Sequence, residues 1–433
     1  MNRFFILAVL AATASTSAIA QAPSRPAAET SSRRAVTYAI TNATVVPVSG
    51  PRITNGTVVI RDGKIAAVGS GIAVPAGAQV IDAQGMFVYP GMIDSGTQLG
   101  LVEIGSVPGG QDNQELGQFN PQDNVLSAVN PHSAHIGITR ANGVTSVITS
   151  AQGGLIQGYA ALIDMAGWTP YEMAEAGQAA MVMTYPRIGG GGRGRGRFGG
   201  QQEGAETQNR QVQDLFAYLR NAKAYNERPN PEVTNRAYAA LGPALKGEMP
   251  VVFDVDTEGQ IRGVLALADT FKLKVVLRGA QEAWMLADTL AARKIPVVVG
   301  PTTQVPQGDQ PYDAIYANPG VLARAGVMIA FQSGDGGEGN ARNLPYNAAL
   351  ATAYGLDPDE ALKALTLNPA KIWGVGDKLG SIETGKTANL FVVTGDPLDV
   401  RSLVKHVFIK GELQPWDDRH TEMYEKFRAR PKP

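Results

Sequence analysis

Val88-Tyr89-Pro90-Gly91-Met92-Ile93-Asp94-Ser95-Gly96-Thr97-Gln98 marks the point where the pattern of this chain changes. Upstream, between residues 38 and 88, short β-rich runs (39–48, 57–61, 66–68 and 79–82) are separated by Gly, Pro and Asn. Asp62-Gly63 is a hairpin-turn signal among them. This segment predicts a small β-sandwich. From Met86 onward, compact apolar runs alternate with longer helical stretches. The strand candidates are 86–93, 144–149, 181–185, 251–254, 274–277, 296–299 and 327–331, and residues 258–271 and 280–292 are good helices between them. Apolar strands alternating with amphipathic helices predict parallel βα units. Their number and spacing fit an α/β fold, a (β/α)8 TIM-like barrel, with a doubly wound sheet as the alternative. After Gly385 the pattern returns to β at 389–393 and 404–409, with turns at Asp396-Pro397 and Gly411. Because chain ends commonly lie close together, the two β segments can form one composite sandwich. The expected organisation is therefore a first sandwich segment over 38–89, the barrel over 90–385, a second sandwich segment over 386–415 and a tail over 416–433.

Composition narrows the function classes. Of 433 residues, 44% are hydrophobic, enough for a sizeable core. Thirty-eight basic and 39 acidic side chains leave a net charge of −1, which gives no electrostatic basis for binding nucleic acid. The absence of cysteine excludes disulfides, thiolate metal ligands and a cysteine nucleophile. At the N-terminus, Arg3 precedes a short apolar run over 4–12, and Ala18-Ile19-Ala20 offers a small-x-small cleavage site. This reads as a signal peptide over 1–20, cleaved near Ala20, with an uncleaved anchor as the alternative. No cysteine follows the run for lipid attachment. Residues 21–37 read as a flexible lead-in, and the expected address is outside the cytoplasm, the periplasm in a Gram-negative cell, with no membrane span after cleavage. Residues 189–204, where Arg193, Arg195 and Arg197 alternate with glycine, read as a flexible insertion. The other reading of such a repeat, an RNA-binding tail, fits a single short copy poorly.

The opening stretch resembles the amidohydrolase superfamily, in particular its imidazolonepropionase-like and dipeptidase-like branches. Their first barrel strand ends in Pro-Gly-x-Ile-Asp-x-His-x-His. Three further phrases resemble the family in the same order. Gly143-Val144-Thr145-Ser146-Val147 is similar to its second strand. Asp359-Glu360-Ala361-Leu362 through Thr366-Leu367-Asn368-Pro369-Ala370-Lys371 is similar to its last helix. Leu379-Gly380-Ser381-Ile382 through Ala388-Asn389-Leu390 is similar to its return to the sandwich, where the family usually has Ala-Asp-Leu. The resemblance implies a barrel that binds one or two divalent metals, activates a water and hydrolyses a carbon–nitrogen bond of a small molecule.

At the metal-ligand positions the chain departs from that pattern. The two histidines of the first strand are Gly96 and Gln98. Asp254 stands at the fifth-strand position, and the sixth strand ends in Leu277-Arg278-Gly279. Glycine has no donor, and an amide oxygen is a weak zinc ligand. His132 and His135 have i, i+3 spacing that could bring them to one helix face, and His406 and His420 lie beyond the barrel. In Ala330-Phe331-Gln332-Ser333-Gly334-Asp335, the family's eighth-strand aspartate is matched by Asp335. Asp335 is therefore the candidate catalytic residue, as a general base. Gln98, Asp254, Asp256, Arg278 and Thr302 are the candidate substrate-binding set at the barrel mouth. This set does not favour a bound cofactor, and a divalent metal, zinc or else Mg²⁺ or Mn²⁺ through carboxylates, is the option it leaves open. The expected partners are a small-molecule substrate or ligand and a homo- or hetero-oligomer with another amidohydrolase. Three functional readings stand: a C–N hydrolase whose activity is weak, altered or absent, a non-catalytic ligand-binding or regulatory homologue, or a repurposed enzyme with Asp254 and Asp335 as an acid–base pair.

Overall fold

A computed structural model describes residues 36–187, 205–228, 233–306, 310–334, 338–415 and 419–431. The expected signal peptide, most of the lead-in, the Gly/Arg insertion at 189–204 and Asp335 lie outside the described residues. Two sheets organise the chain.

The first sheet starts with β1 (Tyr38–Val45), β2 (Ile53–Arg61), β3 (Lys64–Ser70), β4 (Gln79–Asp82) and β5 (Phe87–Pro90). β2 and β3 are a hairpin turned at Asp62-Gly63, where both residues have positive φ (51° and 76°), as a type I′ turn demands. The barrel follows as β6 (Met92–Thr97), β7 (Val144–Thr149), β8 (Ile156–Asp164), β9 (Ala174–Thr184), β10 (Val251–Val255), β11 (Val275–Gly279), β12 (Val297–Val299) and β13 (Ile329–Phe331). The chain then returns to the first sheet as β14 (Leu390–Val393), β15 (Val404–Ile409) and β16 (Glu412–Leu413). β14 pairs antiparallel with β5, Leu390 opposite Pro90, so both chain ends build one eight-stranded sheet in the order β16-β15-β14-β5-β1-β2-β3, with β4 on β1. Its core is Ile40, Val58, Ile60, Val88, Val392 and Phe408.

The predicted strand over 86–93 is in fact two strands in two sheets, divided at Gly91. A Cβ on Gly91 would lie 2.0 Å from the Thr145 hydroxyl oxygen, so only glycine lets the backbone cross this close to β7. The barrel strands follow one another around the barrel in chain order. β6 and β13 meet at the seam, where the Gly334 N–H donates to the Gly96 carbonyl at 3.2 Å. Inside lie Ile93, Ile148, Leu162, Val182, Val252, Val276 and Val298, with Trp373 packed among them. The Trp373 indole N–H donates to the Ser95 hydroxyl at 3.2 Å.

One strand departs from the βα rhythm. β8 runs antiparallel to both β7 and β9, so residues 144–184 form a meander with one short helical turn, Pro170–Met173, rather than βα units. Sequence pattern missed β8 because Gly158 interrupts it and its centre is Ala-Ala-Leu, poor strand formers. β9 also starts seven residues before the expected 181, through Ala, Glu, Gly and Gln. Nine buried residues in β8 show that two-sided pairing and burial override propensity there. The helix Glu258–Phe271 matches its expected span and starts with a full capping box between Thr257 and Gln260. The stretch 280–292 is a 3₁₀ turn, Ala283–Leu286, followed by the helix Ala287–Ala292. No helix among the described residues is long and apolar enough to cross a membrane.

Candidate functional site

The parallel strands deliver their C-terminal ends to one rim, the usual place for chemistry in this architecture. A cleft of about 630 Å³ opens there, lined by Thr184 at the end of β9 and the residues that follow it to Arg187, Asp254 on β10 and Asp256 just beyond it, Arg278 on β11, Gln281, Gln304 and Gln332.

Its centre is an ion pair. The parallel register sets Asp254 directly beside Arg278. Arg278 Nε donates to Asp254 Oδ1 at 2.6 Å and Nη2 to Oδ2 at 2.9 Å, the planar fork that arginine forms with a carboxylate. The third guanidinium nitrogen, Nη1, donates to the Ser150 hydroxyl at 2.9 Å. Arg278 is 8% exposed, so the charge sits in a drier medium than water and is strongly attracted to its partner. Asp256 is partly exposed and takes a hydrogen bond from Arg187 Nη2 at 2.8 Å, a second Arg–Asp pair at the rim. Gln260 lines the cleft as well, but its amide is engaged. It donates to the Tyr185 carbonyl at 2.6 Å and accepts from the backbone N–H of Asp256 at 3.1 Å. Burial raises the pKa of the Tyr185 phenol, so that group stays a neutral donor.

β6 reaches the same rim by a different route. Asp94 is fully buried and accepts from the backbone N–H groups of Gly96 and Ser333, both at 3.1 Å, which ties β6 to the end of β13. At Gly96, an added Cβ would lie 2.2 Å from Gln332 Oε1 and 3.1 Å from Arg278 Cδ. Gln332 is held by its own bond to the Gly300 carbonyl, at 2.7 Å. The space that a side chain at 96 would enter is therefore filled by Gln332 and Arg278.

Of the residues expected at the mouth, Asp254, Asp256 and Arg278 converge on the cleft, and Gln98 and Thr302 do not line it. Gln98 is buried, accepting from Asn113 at 2.5 Å and donating to Gln152 at 2.9 Å. Thr302 is clamped to Asn347, its N–H donating to Oδ1 and its hydroxyl to the carbonyl, both at 2.8 Å. The histidine pair does not form. His132 precedes the helix Ala134–Arg140, whose cap is Ser133, and the His135 ring meets the Glu103 carbonyl at 3.2 Å. Among the described residues, no three His, Asp or Glu side chains come together as a metal site.

Comparison with known proteins places this geometry. The Amidohydrolase family matches over residues 314–414. The crystal structure of an amidohydrolase from Thermotoga maritima superposes with a TM-score of 0.78 at 28% identity, over 87% of this chain and 99% of that one. The chain belongs to the amidohydrolase superfamily. A curated relative, amidohydrolase tasK of Hapsidospora irregularis, is 23% identical over 374 residues. That alignment takes in 80% of this chain and 38% of tasK, so the chain spans well under half of that relative's length. The imidazolonepropionase of Thermoplasma volcanium is 32% identical over 108 residues, 23% of this chain and 27% of the relative.

Within this amidohydrolase barrel, the residues that sequence reasoning missed are Ser150, Arg187, Gln281, Gln304 and Gln332. All five lie just beyond strand ends or in loops, and Ser150, Arg187, Gln281 and Gln304 belong to no motif. Only Gln332 carried a signal, since it stands just before the Ser333-Gly334-Asp335 phrase.

Proposed function

We propose that this amidohydrolase-superfamily barrel is an exported protein that binds a small polar ligand at its mouth without a catalytic metal, and that its hydrolysis of carbon–nitrogen bonds is residual or absent. The observation that carries the reading is the filled space at Gly96. The residues at the family's ligand positions do not fit a divalent cation. Gly96 supplies no donor, the Gln98 amide oxygen is committed to Asn113, and both Asp254 oxygens accept from Arg278. Zinc sites need three or four free imidazole or carboxylate donors around one point. Without a metal-activated hydroxide, hydrolysis forfeits several kcal/mol of transition-state stabilisation and many powers of ten in rate. The sequence leaves Asp335 as the residue on which a proton transfer would rest.

What the mouth supplies is recognition chemistry: two Arg–Asp pairs side by side and a set of glutamine amides. A ligand carboxylate would compete with Asp254 or Asp256 for a guanidinium, and a ligand N–H would find the released carboxylate. That exchange favours amino-acid-like or amide-bearing ligands. Export rests on the signal-peptide pattern at residues 1–20.

The test is a hydrolysis screen over N-acyl amino acids, dipeptides and cyclic amides, with and without added Zn²⁺ or Mn²⁺, alongside metal analysis of the purified protein. The expected result is substoichiometric metal and a rate that added metal does not raise. One tightly held zinc per chain with fast, metal-dependent turnover would overturn the reading. Any slow activity that survives Asp335→Asn would remove Asp335 as the base.

A further inference from the structure

We propose that the opposite end of the barrel carries a second binding site, for a small polyanion such as a phosphate ester or a polycarboxylate. A cavity of about 770 Å³ lies where strands β9 to β13 begin, between Gln178, Pro250, Lys274, Pro296 and Met328. Volumes of this size hold metabolites rather than single ions. Its lining includes the apolar Val276, Ile295, Ile372 and Trp373.

The rim is cationic. Lys272, Lys274, Arg293, Lys294 and Lys371 line the cavity against only two carboxylates, Asp269 and Glu248. Asp269 is already neutralised by Arg293, at 2.5 Å. Lys272, Lys274, Lys294 and Lys371 have no side-chain hydrogen bond or ion pair among the described residues. Charges of one sign around a low-dielectric hollow focus the field into it and raise the local concentration of anions.

Backbone strain is an independent observation. Lys272 and Lys294 both adopt left-handed backbone, at φ 59° and 53°. Each follows the end of a helix, where glycine is the usual and relaxed choice. Strained lysines at two successive rim positions point to a use for their side chains. The dipoles of the helix ends account for one cation per helix. They do not account for Lys274, which lies just ahead of β11 and lines the same hollow.

Titration of the full chain with tripolyphosphate and with citrate, by calorimetry and thermal shift at low and high salt, tests the site. The expected result is saturable, salt-sensitive binding of at least one of the two. Lys274→Gln with Lys371→Gln should weaken it by about tenfold or more, the loss expected from removing charge-assisted hydrogen bonds. Both lysines are exposed, so the melting temperature of the free variant should stay where it is. Preference for tripolyphosphate assigns a phosphate ester, and equal binding of citrate assigns polyanions generally. If neither anion binds saturably, or if the lysine variant binds as the parent does, the proposal fails.

Discussion

The barrel mouth and the junction between the barrel and the composite sheet each set a carboxylate beside a cation, and they balance the charge in opposite ways. At the mouth, one arginine meets one aspartate, with both hydrogen bonds of the fork made. At the junction, Asp164 of β8 and Glu175 of β9 share the single Lys410 of the sheet, at 3.4 Å and 3.1 Å. Asp164 is fully buried, and it accepts from the Ser146 hydroxyl at 2.7 Å and from the Asn389 amide at 2.9 Å. Desolvation, then the charge of Glu175, pushes its pKa up to about 8, against the pull of Lys410 and Ser146. Two carboxylates on one lysine leave a proton as the cheapest way to remove the excess charge. The mouth therefore matches its charges one to one, and the junction leaves a titratable carboxylate in excess.

The same contrast explains a departure visible in the sequence. Where the family usually has aspartate, this chain has Asn389. An aspartate there would set a third carboxylate against Asp164, whereas the amide donates to it and also accepts from the Lys410 backbone N–H at 2.7 Å. Asn389→Asp should accordingly show the largest effect, a loss of about 3–5 kcal/mol, the range for an uncompensated buried charge. Adding Asp164→Asn should recover most of that loss. Urea unfolding of the two single variants and the double variant measures the coupling, and additive losses would show that the two positions do not interact.

Next in size is Arg278→Met at the mouth. It leaves Asp254 unpaired, but that side chain is one-third exposed, so about 2–3 kcal/mol is expected rather than the full buried-pair penalty. Denaturant midpoints with an unchanged m-value check it. A smaller, pH-dependent effect belongs to the junction. Because the folded pKa of Asp164 is raised, the native state binds more protons than the unfolded chain between the ordinary carboxylate value and about 8. Stability carried by this group is present at low pH and falls as pH rises through that window. Asp164→Asn should flatten the slope of stability against pH within that window. The smallest effect is expected from Arg187→Ala at the exposed rim pair, within about 0.5 kcal/mol in stability. Its consequence should appear in ligand affinity instead.

Much of this was legible in the sequence. The hairpin at Asp62-Gly63 and the helix behind Thr257 each carry a local signal, in turn chemistry or periodicity, that the fold obeys, whereas the crossing at Gly91 is hidden within one apolar run over 86–93. β8 was not legible, because its identity as a strand comes from neighbours on both sides rather than from Ile-Gln-Gly-Tyr-Ala-Ala-Leu-Ile-Asp itself. At the site, Asp254 and Arg278 could be read as strand-end residues, and the fork between them follows from adjacent registers. Gln98 and Thr302 could be placed near the rim but not oriented. Their partners, Asn113, Gln152 and Asn347, are 15, 54 and 45 residues away.

At the mouth, Gln332 and Arg278 occupy the space that a side chain at position 96 would enter. Zinc retained after dialysis by the folded variant Gly96→His with Gln98→His tests it most directly, with folding verified by circular dichroism. No zinc should be retained while Gln332 and Arg278 are both present, and zinc uptake should appear only when Gln332→Ala and Arg278→His are added to the same chain. Stoichiometric zinc in the two-histidine variant, with Arg278 intact, would contradict it.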